Sequence, residues 1–104
     1  MCSLDELATK LSALGHPLRL KILATLALRG ELYLSEIASE VGVSRALAKI
    51  HLKQLEKAGL VESRVILVEE ETKALRYYKL KNFHVEVSPQ ILVETLKKTR
   101  GEVK

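Results

Sequence analysis

Arg45, Lys49 and Lys53 stand four residues apart in the run SRALAKIHLKQLEKAGL, Ser44 to Leu60. In a helix that spacing lays three cations along one face. Ala46 and Ile50 interrupt the row with a methyl and a branched alkyl group. The combination has a definite chemistry. Arg and Lys donate to guanine edges and to phosphate oxygens, and small apolar groups meet the thymine methyl. The implied partner is double-stranded DNA read in its major groove. The same face is also what an ordinary solvated basic surface looks like, and the helical wheel alone does not choose between them.

The opposite side of this helix is apolar. At about 100° per residue, Leu47, Ala48, His51, Leu52, Leu55 and Ala58 share the face assigned to a core, and Lys57 joins the basic side. Arg45, Ala46 and Lys49 lie in the N-terminal half, the part of a recognition helix that usually reaches base edges. Lys53 is expected on phosphate, and the Ser44 hydroxyl, which caps the helix, is also in reach of one.

What must position this helix is written just before it, in SEIASEVGVS, Ser35 to Ser44. Two helices that cross closely need a small residue, and Ala38 supplies it. The tight turn needs a residue that tolerates positive φ, and Gly42 supplies that. Val43 can plug the core beside the turn, and Ile37, Val41 and Ala48 suit interior positions. Residues at these fixed offsets spell a helix-turn-helix over 35–59, and with it the DNA reading of the basic face is preferred.

The remaining elements frame that unit. Ser3 with Glu6 resembles a capping box, followed by a stripe of Leu4, Leu7, Leu11 and Leu14 that Gly15 ends. Pro17 opens a second helix to about Arg29, and Gly30 stops it. A short strand is expected within Glu31–Leu34, and Ser35 is expected to cap the third helix. Residues 60–68 and 74–80 read as strands around a polar tip at Glu69–Lys73. Ser88-Pro89 opens a last helix with Ile91, Leu92, Thr95 and Leu96 on one side. The order is helix, helix, strand, helix, helix, strand, strand, helix. This is a mainly α chain with a β-hairpin wing (α+β), a winged helix-turn-helix in a single domain over 1–104. Its parts are flanking helices at 1–15 and 88–99 and a wing at 60–80.

Bulk properties agree. A chain of 104 residues with 47% hydrophobic and 29% charged content suits one globular domain. The net charge is +4, and residues 16–59 hold seven Lys/Arg against four Glu, while 60–80 balance at four each. The basic excess therefore sits in the helix-turn-helix segment. One cysteine, Cys2, excludes an internal disulfide, and Asp5 and Glu6 stand where a signal peptide would be basic. The expectation is a cytoplasmic protein without a membrane span.

The runs LGHPLRLKIL (Leu14–Leu23), GELYLSEIA, VSRALAKIHLKQLEKAGLVESR and RYYKL resemble the ArsR-type winged-helix transcription regulators over roughly residues 10–80. The resemblance implies a homodimer, joined through its terminal helices, that binds operator DNA and represses transcription. Many such regulators sense metals through a Cys-x-Cys pair after Glu-Leu. Here the run is Glu31-Leu32-Tyr33-Leu34-Ser35, with no thiolate, and the last helix offers only Glu94. No metal and no cofactor is expected, and no small-molecule effector is legible.

The wing departs as well. Glu69, Glu70 and Glu71 would repel phosphates. Either the tip turns away from DNA, or only its flanks Arg64, Lys73 and Arg76 approach the backbone; we take the second, with Arg76 foremost. Arg19 suits a surface ion pair or a phosphate contact equally. Tyr77 and Tyr78 should face opposite sides of the hairpin. A winged core is complete without both terminal stripes, so Leu4, Leu7, Leu11, Ile91, Leu92 and Leu96 are expected at a two-fold dimer interface.

No phosphate loop, Cys/His or Ser/His/Asp constellation or facing pair of carboxylates suggests an enzyme. Two alternatives to a sequence-specific regulator remain: a winged-helix module that binds protein, and a chromatin-type protein that binds DNA without sequence preference.

Overall fold

The computed structural model describes residues 3–68 and 73–99; for Val68, Lys73 and Thr99 it describes the backbone alone. The elements run α1 (Leu4–Leu14), α2 (Pro17–Arg29), β1 (Leu32–Tyr33), α3 (Leu34–Val41), α4 (Arg45–Lys57), β2 (Val61–Val68), β3 (Lys73–Leu80) and α5 (Pro89–Thr99). The order is the one expected of a winged helix-turn-helix.

Local chemistry sets the helix ends. The Ser3 hydroxyl accepts from Glu6 N at 3.1 Å and the Glu6 carboxylate accepts from Ser3 N at 2.9 Å, a complete capping box on α1. His16 caps α2, its Nδ1 accepting from Leu18 N at 3.2 Å, with Pro17 at the first position. Ser44 caps α4 by accepting from Leu47 N at 3.1 Å.

The start of α3 corrects one expectation. Ser35 is not its cap. The helix begins at Leu34, because the Glu36 carboxylate reaches back to accept from Tyr33 N at 3.0 Å and satisfies a donor one turn earlier.

The sheet has the order β1-β3-β2, antiparallel throughout. β2 pairs with β3 from Val61↔Leu80 to Val68↔Lys73, and β1 adds Leu32↔Tyr78 and Tyr33↔Tyr77 on the other side of β3. The two tyrosines divide as expected. Tyr78 is buried in the core, where burial raises its phenol pKa. Tyr77 lies on the opposite face, with its ring edge toward Tyr33 at 5.5 Å.

The core lies where α2, α3, α4 and the base of the sheet meet. Ile22, Ile37, Leu52, Leu55 and Leu60 are fully buried there, and Leu26, Leu32, Val61 and Tyr78 close it. No helix among the described residues is long and apolar enough to cross a membrane.

Candidate nucleic-acid interface

The turn between α3 and α4 fixes how α4 is presented. Gly42 has φ 79° and ψ 37°, the left-handed region that glycine enters without a steric cost. From there Gly42 N and Val43 N both donate to the carbonyl of Ala38, at 2.9 and 3.0 Å. The chain reverses within three residues and Ser44 starts α4.

Burial divides α4 sharply. Ala48, Leu52 and Leu55 are fully buried, and His51 and Ala58 nearly so. Arg45, Ala46, Lys49, Ile50, Lys53 and Lys57 are exposed on the other side. Leu47, assigned to the core by the wheel, is 39% exposed. It stands in the first turn, at the edge of the buried arc, where the neighbouring elements no longer cover it.

The basic face is available to a partner. Among the described residues no carboxylate forms an ion pair with Arg45, Lys49 or Lys53. The first turn of α4 also holds no acidic residue. Its unpaired N–H groups and the helix dipole therefore add to the positive field of Arg45. The Ser44 hydroxyl oxygen accepts the capping bond, which leaves its O–H free to donate outward.

The wing residues fare differently. Arg64 is committed elsewhere: Nε donates to Glu31 Oε2 at 2.7 Å and Nη2 to Oε1 at 2.9 Å. This fork lies across β3, because Arg64 is paired with Tyr77 and Tyr77 with Tyr33, two residues from Glu31. Arg76 is exposed, and its Nη1 donates to Ser63 Oγ at 3.0 Å. Ser63 in turn donates to Glu56 Oε2 at 2.8 Å. That relay ties the wing to the last turns of α4 and keeps Arg76 close to it. The backbone of Lys73 opens β3, while its side chain and the Glu69–Glu71 tip lie outside the described residues.

Arg19 forms no ion pair among the described residues and bonds within the fold instead. Its Nε donates to His51 Nδ1 at 3.1 Å, and its Nη1 to the carbonyls of Ser12 and Ala13 at 3.3 and 3.5 Å. The His16 and His51 rings lie 4.6 Å apart, tilted by 56°. Burial, then the charges of His16 and Arg19, hold the His51 imidazole below its usual pKa. Nothing in the sequence signals the Arg19–His51 bond, because 32 residues separate its partners.

The terminal helices form a second surface. α1 and α5 pack against each other within one chain. Leu7 is consequently buried, lining a shallow pocket with His84, Val85, Ile91 and Thr95, so it has little area left to offer a second chain. Leu4 and Ile91 are half-buried. Leu11, Leu92 and Leu96 remain exposed, at 38%, 41% and 40%, with Val93 beside them.

Comparison with known proteins agrees with this architecture. Residues 14–64 match the model of a helix-turn-helix domain. Over 80 residues the chain is 39% identical to an uncharacterized HTH-type transcriptional regulator of Methanocaldococcus jannaschii, covering 77% of this chain and 81% of that one. The homodimeric winged helix-turn-helix DNA-binding domain of Mycobacterium bovis, a candidate ArsR-family regulator, superposes with a TM-score of 0.66 at 28% identity. That match covers 94% of this chain and 78% of the other. The transcriptional repressor BigR from Xylella fastidiosa superposes with a TM-score of 0.62 at 28% identity, over 75% and 72% of the two chains. With its helix-turn-helix, three-stranded wing sheet and these relatives, the chain belongs to the ArsR-type winged helix-turn-helix transcription regulators, a family of DNA-binding proteins and not of enzymes.

Proposed function

We propose that this regulator binds double-stranded operator DNA as a homodimer and represses transcription in the cytoplasm, with α4 in the major groove. The observation that carries the reading is the unpaired row Arg45, Lys49 and Lys53 on a helix whose other side is core. An ordinary solvated helix face tends to alternate its charges, whereas the row from Arg45 to Lys53 keeps a single sign and adds Ala46 and Ile50 as apolar contacts.

Each residue has a role. Arg45 and Lys49 reach base edges, with Ala46 and Ile50 against methyl groups. Ser44 and Lys53 hold phosphates. Arg76 approaches the backbone from the wing, held near α4 by Ser63 and Glu56. Lys73 is the remaining wing candidate, and Arg64 is set aside because Glu31 already holds its Nε and Nη2 in a two-donor fork. The dimer rests on the exposed leucines of α1 and α5 and on the homodimeric state of the Mycobacterium bovis relative. Two copies would then offer α4 to successive major grooves about 34–36 Å apart.

Selection of bound duplexes from a random pool, followed by titration at two salt concentrations, tests the reading. A two-fold symmetric site and a steep loss of affinity with salt are expected. Recovery of no preferred sequence would point to a chromatin-type binder. Binding indifferent to salt and to Arg45→Ala would point to a protein-binding module.

A further inference from the structure

His16, Arg19 and His51 meet where the end of α1, the first turn of α2 and the middle of α4 converge. Arg19 is the centre of the cluster. One guanidinium holds the last carbonyls of α1 and, through Nε, the imidazole of His51 on α4. His16 caps α2 and lays its ring against that of His51.

The geometry specifies a protonation state. His51 Nδ1 accepts from an Arg N–H, so it carries no proton and the ring is the neutral Nε2–H tautomer. His16 Nδ1 accepts from Leu18 N at 3.2 Å, the bond that caps α2. A proton on His51 Nδ1 would set a cation's N–H against the N–H of Arg19 in a part-buried place, where His51 itself is 7% exposed.

Among the described residues no compensating charge is at hand. The charges that act on His51 are His16 and Arg19, both of which disfavour a proton there. α1 brings the neutral carbonyls of Ser12 and Ala13, and α4 brings Gln54 and Lys57 to the cavity that Arg19 borders. No carboxylate from α1, α2, α3 or β2 is among the charges acting on the ring.

We propose that the Arg19–His51 bond, with the His16 ring tilted against it, is a proton-sensitive latch that seats the recognition helix on α1 and α2, and that acidification opens it and weakens DNA binding. Arg19 and His51 are positioning residues here, acting through the placement of α4. The DNA half of the proposal rests on the function proposed above. The sign follows from the neutral state. A histidine held neutral when folded contributes its full stability above the ordinary histidine value of about 6.5. That contribution is lost as pH falls from there toward the lowered value in the fold. General electrostatics has the opposite sign, because each added proton makes the protein more cationic and strengthens attraction to DNA.

The test uses the full chain and a labelled duplex enriched from a random pool at about pH 8. Melting temperature and duplex affinity are followed down to about pH 5, across the range in which histidine changes charge. Wild type is expected to lose both melting temperature and duplex affinity as pH falls. His51→Gln keeps an acceptor for Arg19 without a titrating group, and both of its profiles should be flat or rise in affinity. A wild type whose affinity is constant or rises with acid overturns the proposal, as does a His51→Gln profile that falls like the wild type. If His51→Gln does not fold, NMR of the wild-type imidazoles decides. An unprotonated Nδ1 on His51, with α4 amides that shift in step with its titration, supports the latch; a protonated Nδ1 at about pH 8, or α4 amides that ignore the titration, overturns it. Melting that follows His51 in a chain indifferent to duplex at every pH supports the latch but overturns the DNA-binding reading.

Discussion

The guanidinium of Arg64 grips the carboxylate of Glu31 with two donors, at 2.7 and 2.9 Å, across the full width of the three-stranded sheet. The fork lies over Tyr77 and ties the start of the wing to the segment before β1. An arginine held this way has its fork turned to a carboxylate, with only its Nη1 side left for a phosphate. Its role is to hold the wing in register with the helix-turn-helix.

That pairing predicts a pH signature. The hydrogen bonds and charge of Arg64 hold the Glu31 carboxyl below the usual carboxylate range. A carboxylate depressed in the fold contributes stability above its unfolded value, and that stability is lost as pH falls through the folded value. Carboxyl NMR titration should show Glu31 depressed in wild type and returned to the ordinary range in Arg64→Ala. The same variant should change duplex affinity by less than about threefold, a fraction of a specific contact. A larger loss would return Arg64 to the interface.

Arg45 and Lys53 should separate specificity from general affinity. Arg45 stands in the first turn of α4 and Lys53 two turns later, both exposed and free of ion pairs among the described residues. Arg45→Ala should cost about 1–3 kcal/mol against the selected site and relax base preference at one position. Lys53→Ala should weaken all duplexes alike and reduce the salt slope by about 1. Competition titrations with matched and mismatched duplexes read both effects. Equal losses on every duplex from Arg45→Ala would remove it from base readout.

The turn before α4 carries a stability prediction. Gly42 sits at φ 79°, and a Cβ built there meets nothing within 4 Å. Space is therefore not the obstacle, and only the backbone is strained. Gly42→Ala should destabilise by about 1–2 kcal/mol, the left-handed cost for a residue with a Cβ. Chemical denaturation measures it, and an unchanged midpoint would mean that the turn relaxes to another conformation.

Much of this architecture is legible in the sequence because its signals act over a few residues. Ser3 with Glu6, Pro17 after His16, and Gly42 before Ser44 each fix an element locally, and each sits as its chemistry requires. The start of α3 is less legible, because Glu36, rather than the nearby Ser35, satisfies the first turn. The contacts that organise the candidate site had no such signal. Arg19 and His51, Arg64 and Glu31, and Arg76, Ser63 and Glu56 meet only once the helices and sheet have packed. Basic residues look alike in a sequence whether they will meet a phosphate or a neighbour's carboxylate. Packing sorts them, leaving the α4 row open and committing Arg64.

The exposed leucines of the terminal helices carry the last prediction. Leu7 is buried within one chain, so a dimer through the terminal helices draws on half-buried Leu4 and Ile91 and chiefly on exposed Leu11 of α1 and Leu92, Val93 and Leu96 of α5. Single exposed leucines are ordinary, but several on adjoining helices make an apolar surface that a second copy can cover. Leu92→Glu with Leu96→Glu places two charges on that surface and leaves the buried core untouched, so the variant should fold with an unchanged circular dichroism spectrum. Light scattering at micromolar concentration should then report a dimer for wild type and a monomer for the variant. The monomer keeps its Arg45–Lys53 face intact and can still occupy a half-site, but it loses the coupling between two half-sites and with it most of the affinity for a symmetric operator. A wild-type monomer at that concentration would sink the two-fold arrangement, and with it the expectation of a palindromic site.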